Sequence, residues 1–90
     1  MNAAEATVEI RNRLGLHLRA AAALAETAGR FKSNVTLTRG KNQVNARSVT
    51  GLMMLGAGIG TRLKVHAEGE DAREAVTAIR ELFEARFNED

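Results

Sequence analysis

A chain of 90 residues and 9.7 kDa has room for one domain, residues 1–90. Apolar residues make up 44% and charged residues 27%, without a single cysteine, which excludes a disordered chain, a disulfide framework and a thiolate metal site. The net charge is only +2, the arginines are scattered and the aromatics are three phenylalanines, so nothing resembles the clustered cations and stacking rings of a nucleic-acid binder.

The opening residues, MNAAEATVEI, carry no basic stretch ahead of an apolar core, so no signal peptide is expected. No run approaches the roughly 20 apolar residues of a spanning helix. A cytoplasmic protein without membrane insertion is the expectation. Residues 6–11 alternate, with Ala6, Val8 and Ile10 predicted to face the core of a half-buried strand. Residues 12–15 then read as a loop. Residues 18–31 read as a helix with Ala21, Leu24, Ala28 and Phe31 along one stripe. Two short strands follow, carrying Val35 and Leu37, then Val44 and Ala46, joined by a hairpin at Gly40-Lys41.

Ser48 stands as N-cap of a short helix that stops at Gly56, with Leu52 and Leu55 turned inward. The glycines at 56, 58 and 60 match no phosphate-binding loop, because G-x-G-x-x-G is not met and no Lys-Ser/Thr follows. They read as a flexible connection. Residues 61–67 form a fourth alternating strand. Asp71 and Glu74 suggest a capping box for a last helix with the stripe Ala72, Ala75, Val76, Ile79, Leu82 and Phe83, and with Arg86 in its final turn. The order βαββαβα, with every strand alternating, predicts an α+β domain in two layers.

Two histidines are present, His17 and His66, too far apart and too poor in neighbouring ligands to suggest a metal. His66 falls on the polar face of a strand and reads as a solvated residue. His17 stands just ahead of a helix, where free backbone N–H groups and the helix dipole favour an anion. Arg19 adds a planar donor suited to phosphate. Spacing alone leaves two readings open: an ordinary helix cap beside a surface charge, or an imidazole nucleophile beside two devices that steady a phosphoryl group.

The segment GLHLRAAAALAETAGRF resembles the active-centre segment of HPr, the histidine-containing phosphocarrier family of the bacterial phosphoenolpyruvate-dependent phosphotransferase system, whose motif is G-[LMI]-H-x-R-P-A. A second block, ARSVTGLMMLG, resembles that family's regulatory segment. The resemblance runs from about Thr7 to Phe87 and implies an open-faced β-sandwich, a four-stranded antiparallel sheet covered on one face by three helices. It implies that His17 carries the phosphoryl group on Nδ1 and that Arg19 steadies it. Ser48 would be the target of a serine kinase and its phosphorylase. Enzyme I would be the donor and an EIIA-type domain the acceptor. The C-terminal end resembles proteobacterial members, including the nitrogen-related NPr branch, which leaves sugar uptake and a regulatory phosphorelay both open.

One departure stands out, since the family's proline after the arginine is Ala20 here. The expectation is a monomeric phosphocarrier, not an enzyme with turnover of its own, needing neither cofactor nor metal. Ala23, Thr27, Val49, Met53 and Met54 are its candidate docking surface. The alternative is a regulatory binding module controlled by phosphorylation at Ser48.

Overall fold

A computed structural model describes residues 2–89. Its elements are β1 (Ala3–Glu9), α1 (Leu18–Gly29), β2 (Asn34–Arg39), β3 (Asn42–Asn45), α2 (Val49–Met54), β4 (Arg62–Glu68) and α3 (Ala72–Glu84), followed by a single 3-10 turn, Arg86–Asn88. The strands pair antiparallel in the order β1-β4-β2-β3. The three helices lie on one face, which is the two-layer α+β domain the element order predicts and the open-faced sandwich the resemblance implies.

Strand alternation produces the two faces directly. Val8, Val35, Leu37, Leu63, Val65 and Ala67 are buried under the helices. Their neighbours Thr36, Thr38, Lys64 and His66 occupy the opposite, open face. Helix α1 adds Ala20, Ala21, Leu24 and Ala28, and α3 adds Ala72, Ala75, Val76, Ile79 and Phe83. Leu52 of α2 and Leu55, its C-cap residue, close the core, as expected. Each fully buried Leu, Ile or Phe contributes about 1.5–3 kcal/mol by leaving water. Among the described residues, no helix is long and apolar enough to cross a membrane.

Several boundaries differ from the sequence reading, each for a local reason. Strand β1 covers Ala3–Glu9 instead of residues 6–11, because the partner β4 offers register only from Glu68 to Arg62. Ile10 lies past the ladder yet stays fully buried, its backbone bonded to Gly60 and Thr61. Helix α1 stops at Gly29, two residues early, and Phe31 is only partly covered. Leu82 is likewise only partly buried on α3.

The capping box does not form. Asp71 gives its own helix no side-chain bond. Its carboxylate instead accepts from the backbone N–H groups of Lys32 and Ser33, both at 2.9 Å, and from the Ser33 hydroxyl. The Ser33 hydroxyl bond is the largest influence holding the Asp71 carboxyl below the usual carboxylate range. This pins the turn after α1 to the start of α3. Arg86 is not in the last turn of α3 either. It opens the following turn, with a φ of 54°.

Candidate functional site at the start of α1

The loop before α1 is shaped by a backbone that permits no side chain. Gly15 has a φ of +71°, and a Cβ there would stand 2.7 Å from the Ala57 carbonyl oxygen and 2.9 Å from the Gly58 Cα. The next residue, Leu16, donates its N–H to that Ala57 carbonyl at 2.9 Å. Residues 56–60, expected to be a flexible connection, are thus tied to this loop. Gly60 donates to the Ile10 carbonyl at 2.7 Å on the other side.

His17 is the N-cap of α1, in an extended conformation, and its side chain caps nothing. The first helical bond runs from Ala21 N–H to the His17 carbonyl at 2.8 Å. The N–H groups of Leu18, Arg19 and Ala20 therefore have no backbone partner among the described residues. His17 and Arg19 line one open depression of about 590 Å³ together with Arg13, Leu14, Leu18 and Glu89. Leu14 and Leu18 are strongly exposed, at 69% and 60%. An imidazole, the open N–H groups of a helix start and a guanidinium share one surface with an apolar rim.

The ring of His17 is held from the far end of the chain. Its Nε2 lies 2.7 Å from Glu89 Oε2. Glu89 Oε1 accepts from Asn12 Nδ2 at 2.9 Å, and the same Asn12 amide donates to the Gly15 carbonyl at 2.8 Å. Asn12 is fully buried. Its amide bond is the largest influence lowering the Glu89 carboxyl, with His17 and the charge of Arg19 acting in the same direction. The turn Arg86–Asn88 makes this possible. Three successive residues with φ of 54°, 52° and 60° reverse the chain after α3. Left-handed conformations cost non-glycine residues about 1 kcal/mol or more each. Phe87 offsets part of that cost by burying its ring edge-on to Phe83, with centroids 4.9 Å apart. Sequence reasoning missed Asn12 and Glu89. They lie 77 positions apart and share no periodicity, so no local pattern could have joined them.

The other expected residues divide. Ser48 caps α2, its Oγ accepting from Gly51 N–H at 2.9 Å, and it is exposed. Met53 and Met54 are exposed, at 44% and 80%. Ala23 and Val49 are only partly covered, packing against the core. Thr27 does not belong with them. It is buried, with 8% exposure, because α1 turns it inward beside Ala28.

His66 sits on the open sheet face, at the far side of the molecule from α1. Both ring nitrogens face carboxylates, Nδ1 at 2.9 Å from Glu5 and Nε2 at 2.9 Å from Glu68. The Glu68 bond is the main influence raising its pKa above the ordinary histidine value. Both ring nitrogens are thus occupied by contacts to neighbouring carboxylates on the open face.

A family model described as "PTS HPr component phosphorylation site" matches residues 4–85. The chain belongs to the HPr family. It is 48% identical over 86 residues to the phosphocarrier protein HPr of Xylella fastidiosa, covering 96% of this chain and 97% of that protein. It is 42% identical over 89 residues to the phosphocarrier protein NPr of Shewanella violacea, covering 99% and 98%. Among solved structures, the crystal structure of HPr-C-His from Thermoanaerobacter tengcongensis superposes with a TM-score of 0.93 at 41% identity, covering 97% of this chain and 98% of that one. HPr proteins are phosphocarriers of the phosphotransferase system, which hand a phosphoryl group on and are not enzymes.

Ala20, at the family's proline position, is the third helical residue, and its N–H is not needed by the helix. Ala20→Pro is expected to fold normally, with a melting temperature equal to wild type or a few degrees higher. Proline narrows the unfolded ensemble by about 0.4–1 kcal/mol where the backbone suits it. Thermal unfolding followed by circular dichroism checks this, and a loss of more than about 8 °C, roughly 1 kcal/mol in a domain this size, would contradict it.

Proposed function

We propose that this HPr-family chain, acting as one domain, accepts a phosphoryl group on His17 Nδ1 from phospho-Enzyme I and passes it to an EIIA-type domain. The observation that carries the reading is His17 at the unfilled start of α1, with Arg19 on the same depression. As the Nδ1 lone pair forms the new N–P bond, the donor's bond to phosphorus breaks and its electron pair leaves with the donor. The open N–H groups of the first turn and the Arg19 guanidinium answer the negative charge on the moving group. A shallow, open site suits a carrier, because the phosphoryl group must be reachable by two successive partners.

Leu14, Leu18, Met53 and Met54, with the partly covered Ala23 and Val49, form the surface those partners meet. Methionine adapts to several partners, which suits a protein that must dock on more than one. Ser48 supports a second, regulatory reading, because its exposed hydroxyl stands at the head of α2, the helix that carries those methionines at its other end. In that reading a serine kinase modifies it and changes docking rather than folding, since a phosphate at a helix start suits the dipole.

Incubation with phosphoenolpyruvate and Enzyme I, followed by intact mass, tests the carrier reading. A gain of one phosphoryl group that is lost in mild acid is expected of a phosphohistidine. An acid-stable adduct on Ser48 with none on His17 would favour the regulatory reading, and no adduct at all would remove the carrier reading.

A further inference from the structure

We infer that Glu89, held by Asn12, is a positioning residue for His17, fixing the imidazole in the tautomer that leaves Nδ1 free to attack phosphorus. The inference rests on the carrier reading for its reaction but on the geometry at Nε2 for its substance. A carboxylate oxygen 2.7 Å from Nε2 has no proton to give, so the ring must donate, and Nε2 carries the hydrogen. In the neutral ring the lone pair is then on Nδ1. That nitrogen has no hydrogen-bond partner among the described residues.

The carboxylate is itself held. Asn12 Nδ2 binds its other oxygen and the Gly15 carbonyl in the His17 loop, so one buried amide joins the C-terminal segment to the nucleophile's own turn. The left-handed turn at residues 86–88, anchored by buried Phe87, delivers Glu89 to this point. Asn12 is fully buried, so its amide is held in place by the packing around it. The other charged groups lining the depression are Arg13 and Arg19. The Asn12 amide bond is the largest influence holding the Glu89 carboxyl below its ordinary value, with His17 and then Arg19 acting in the same direction.

During transfer the ring gains positive charge as Nδ1 bonds to phosphorus. The proton stays on Nε2, facing the Glu89 carboxylate, and when the phosphoryl group departs the N–P electron pair returns to Nδ1. The logic is that of a carboxylate orienting a catalytic histidine: it sets the tautomer and balances the charge that develops, without taking the proton.

The experiment uses the full chain, with Glu89→Ala and Glu89→Gln, and two readouts. Nitrogen-15 NMR of unphosphorylated, neutral His17 is expected to show one dominant Nε2–H tautomer in wild type and a mixture in Glu89→Ala. Single-turnover transfer from phospho-Enzyme I is expected to slow on the order of tenfold in Glu89→Ala, the lower range for losing a histidine's orienting partner. Glu89→Gln, which keeps an acceptor but no charge, is expected to hold the tautomer and still lose rate. A wild-type tautomer together with a wild-type transfer rate in Glu89→Ala overturns the inference. Failure of wild type to take a phosphoryl group on His17 overturns the carrier reading instead, and the tautomer measurement then judges Glu89 alone: a mixture in Glu89→Ala supports its positioning role, an unchanged ring refutes it.

Discussion

His17→Ala is expected to abolish phosphoenolpyruvate-dependent labelling completely while the domain stays folded. Alanine has no lone pair to offer phosphorus, and the residues left lining the depression, Arg13, Leu14, Leu18, Arg19 and Glu89, include no second imidazole. The fold has little to lose at this position. As N-cap the His17 side chain makes no capping bond, and its ring is partly solvent-exposed. The deleted contact is the one with Glu89, which keeps its bond from Asn12. A stability change of about 0.5 kcal/mol or less is expected, or a melting shift within about 4 °C. Intact mass after incubation with Enzyme I measures the first half and circular dichroism the second. His66→Ala serves as the control and should label normally, because both of its ring nitrogens are engaged by carboxylates. Labelling lost in His66→Ala and kept in His17→Ala would reverse the assignment.

The second large effect is expected at Arg19. Arg19→Ala should slow single-turnover transfer on the order of a hundredfold, while affinity for Enzyme I changes far less. The guanidinium is exposed, so in the resting protein its interactions are screened and worth little. Its value is concentrated where negative charge shifts between donor and acceptor, and a donor aimed there typically contributes about 10²–10³ in rate. Arg19→Lys should recover only part of the loss, because an ammonium keeps the charge but not the planar fork that matches phosphate. Rapid-quench transfer kinetics alongside a binding titration separate the two quantities. Equal losses in rate and affinity would make Arg19 a docking residue only.

The parts of this molecule that could be read from the chain are those governed by short-range rules. Alternation placed Val35, Leu37, Leu63 and Val65 on one sheet face, and helical spacing placed Leu24, Ile79 and Phe83 against them. His17 and Arg19 were legible because a helix start, a glycine and a motif all lie within five residues. Misreadings arose where a distant partner outbid a local preference. Asp71 has the chemistry of a helix cap, yet its carboxylate serves Lys32 and Ser33. Thr27 is polar and was assigned to the surface, yet α1 buries it. Arg86 continues a helical pattern, but the three left-handed residues that begin with it reverse the chain. The contact of Asn12 with Glu89 belongs to the same class, since only the closed fold brings position 89 back to position 12.

The strand order also has a consequence for how the chain matures. Strand β4 lies between β1 and β2 and is the last strand to be made. Until it leaves the ribosome, β1 has no partner at all, and β2 has only the hairpin with β3. About thirty residues separate the end of β2 from the end of β4, which is a few seconds of synthesis. Throughout that interval the nascent chain presents two unpaired strand edges with their apolar faces uncovered, the state most prone to wrong pairing. The sheet therefore closes in one late step, when a single strand inserts between two that are already waiting. This small domain cannot complete its sheet before that inner strand is made.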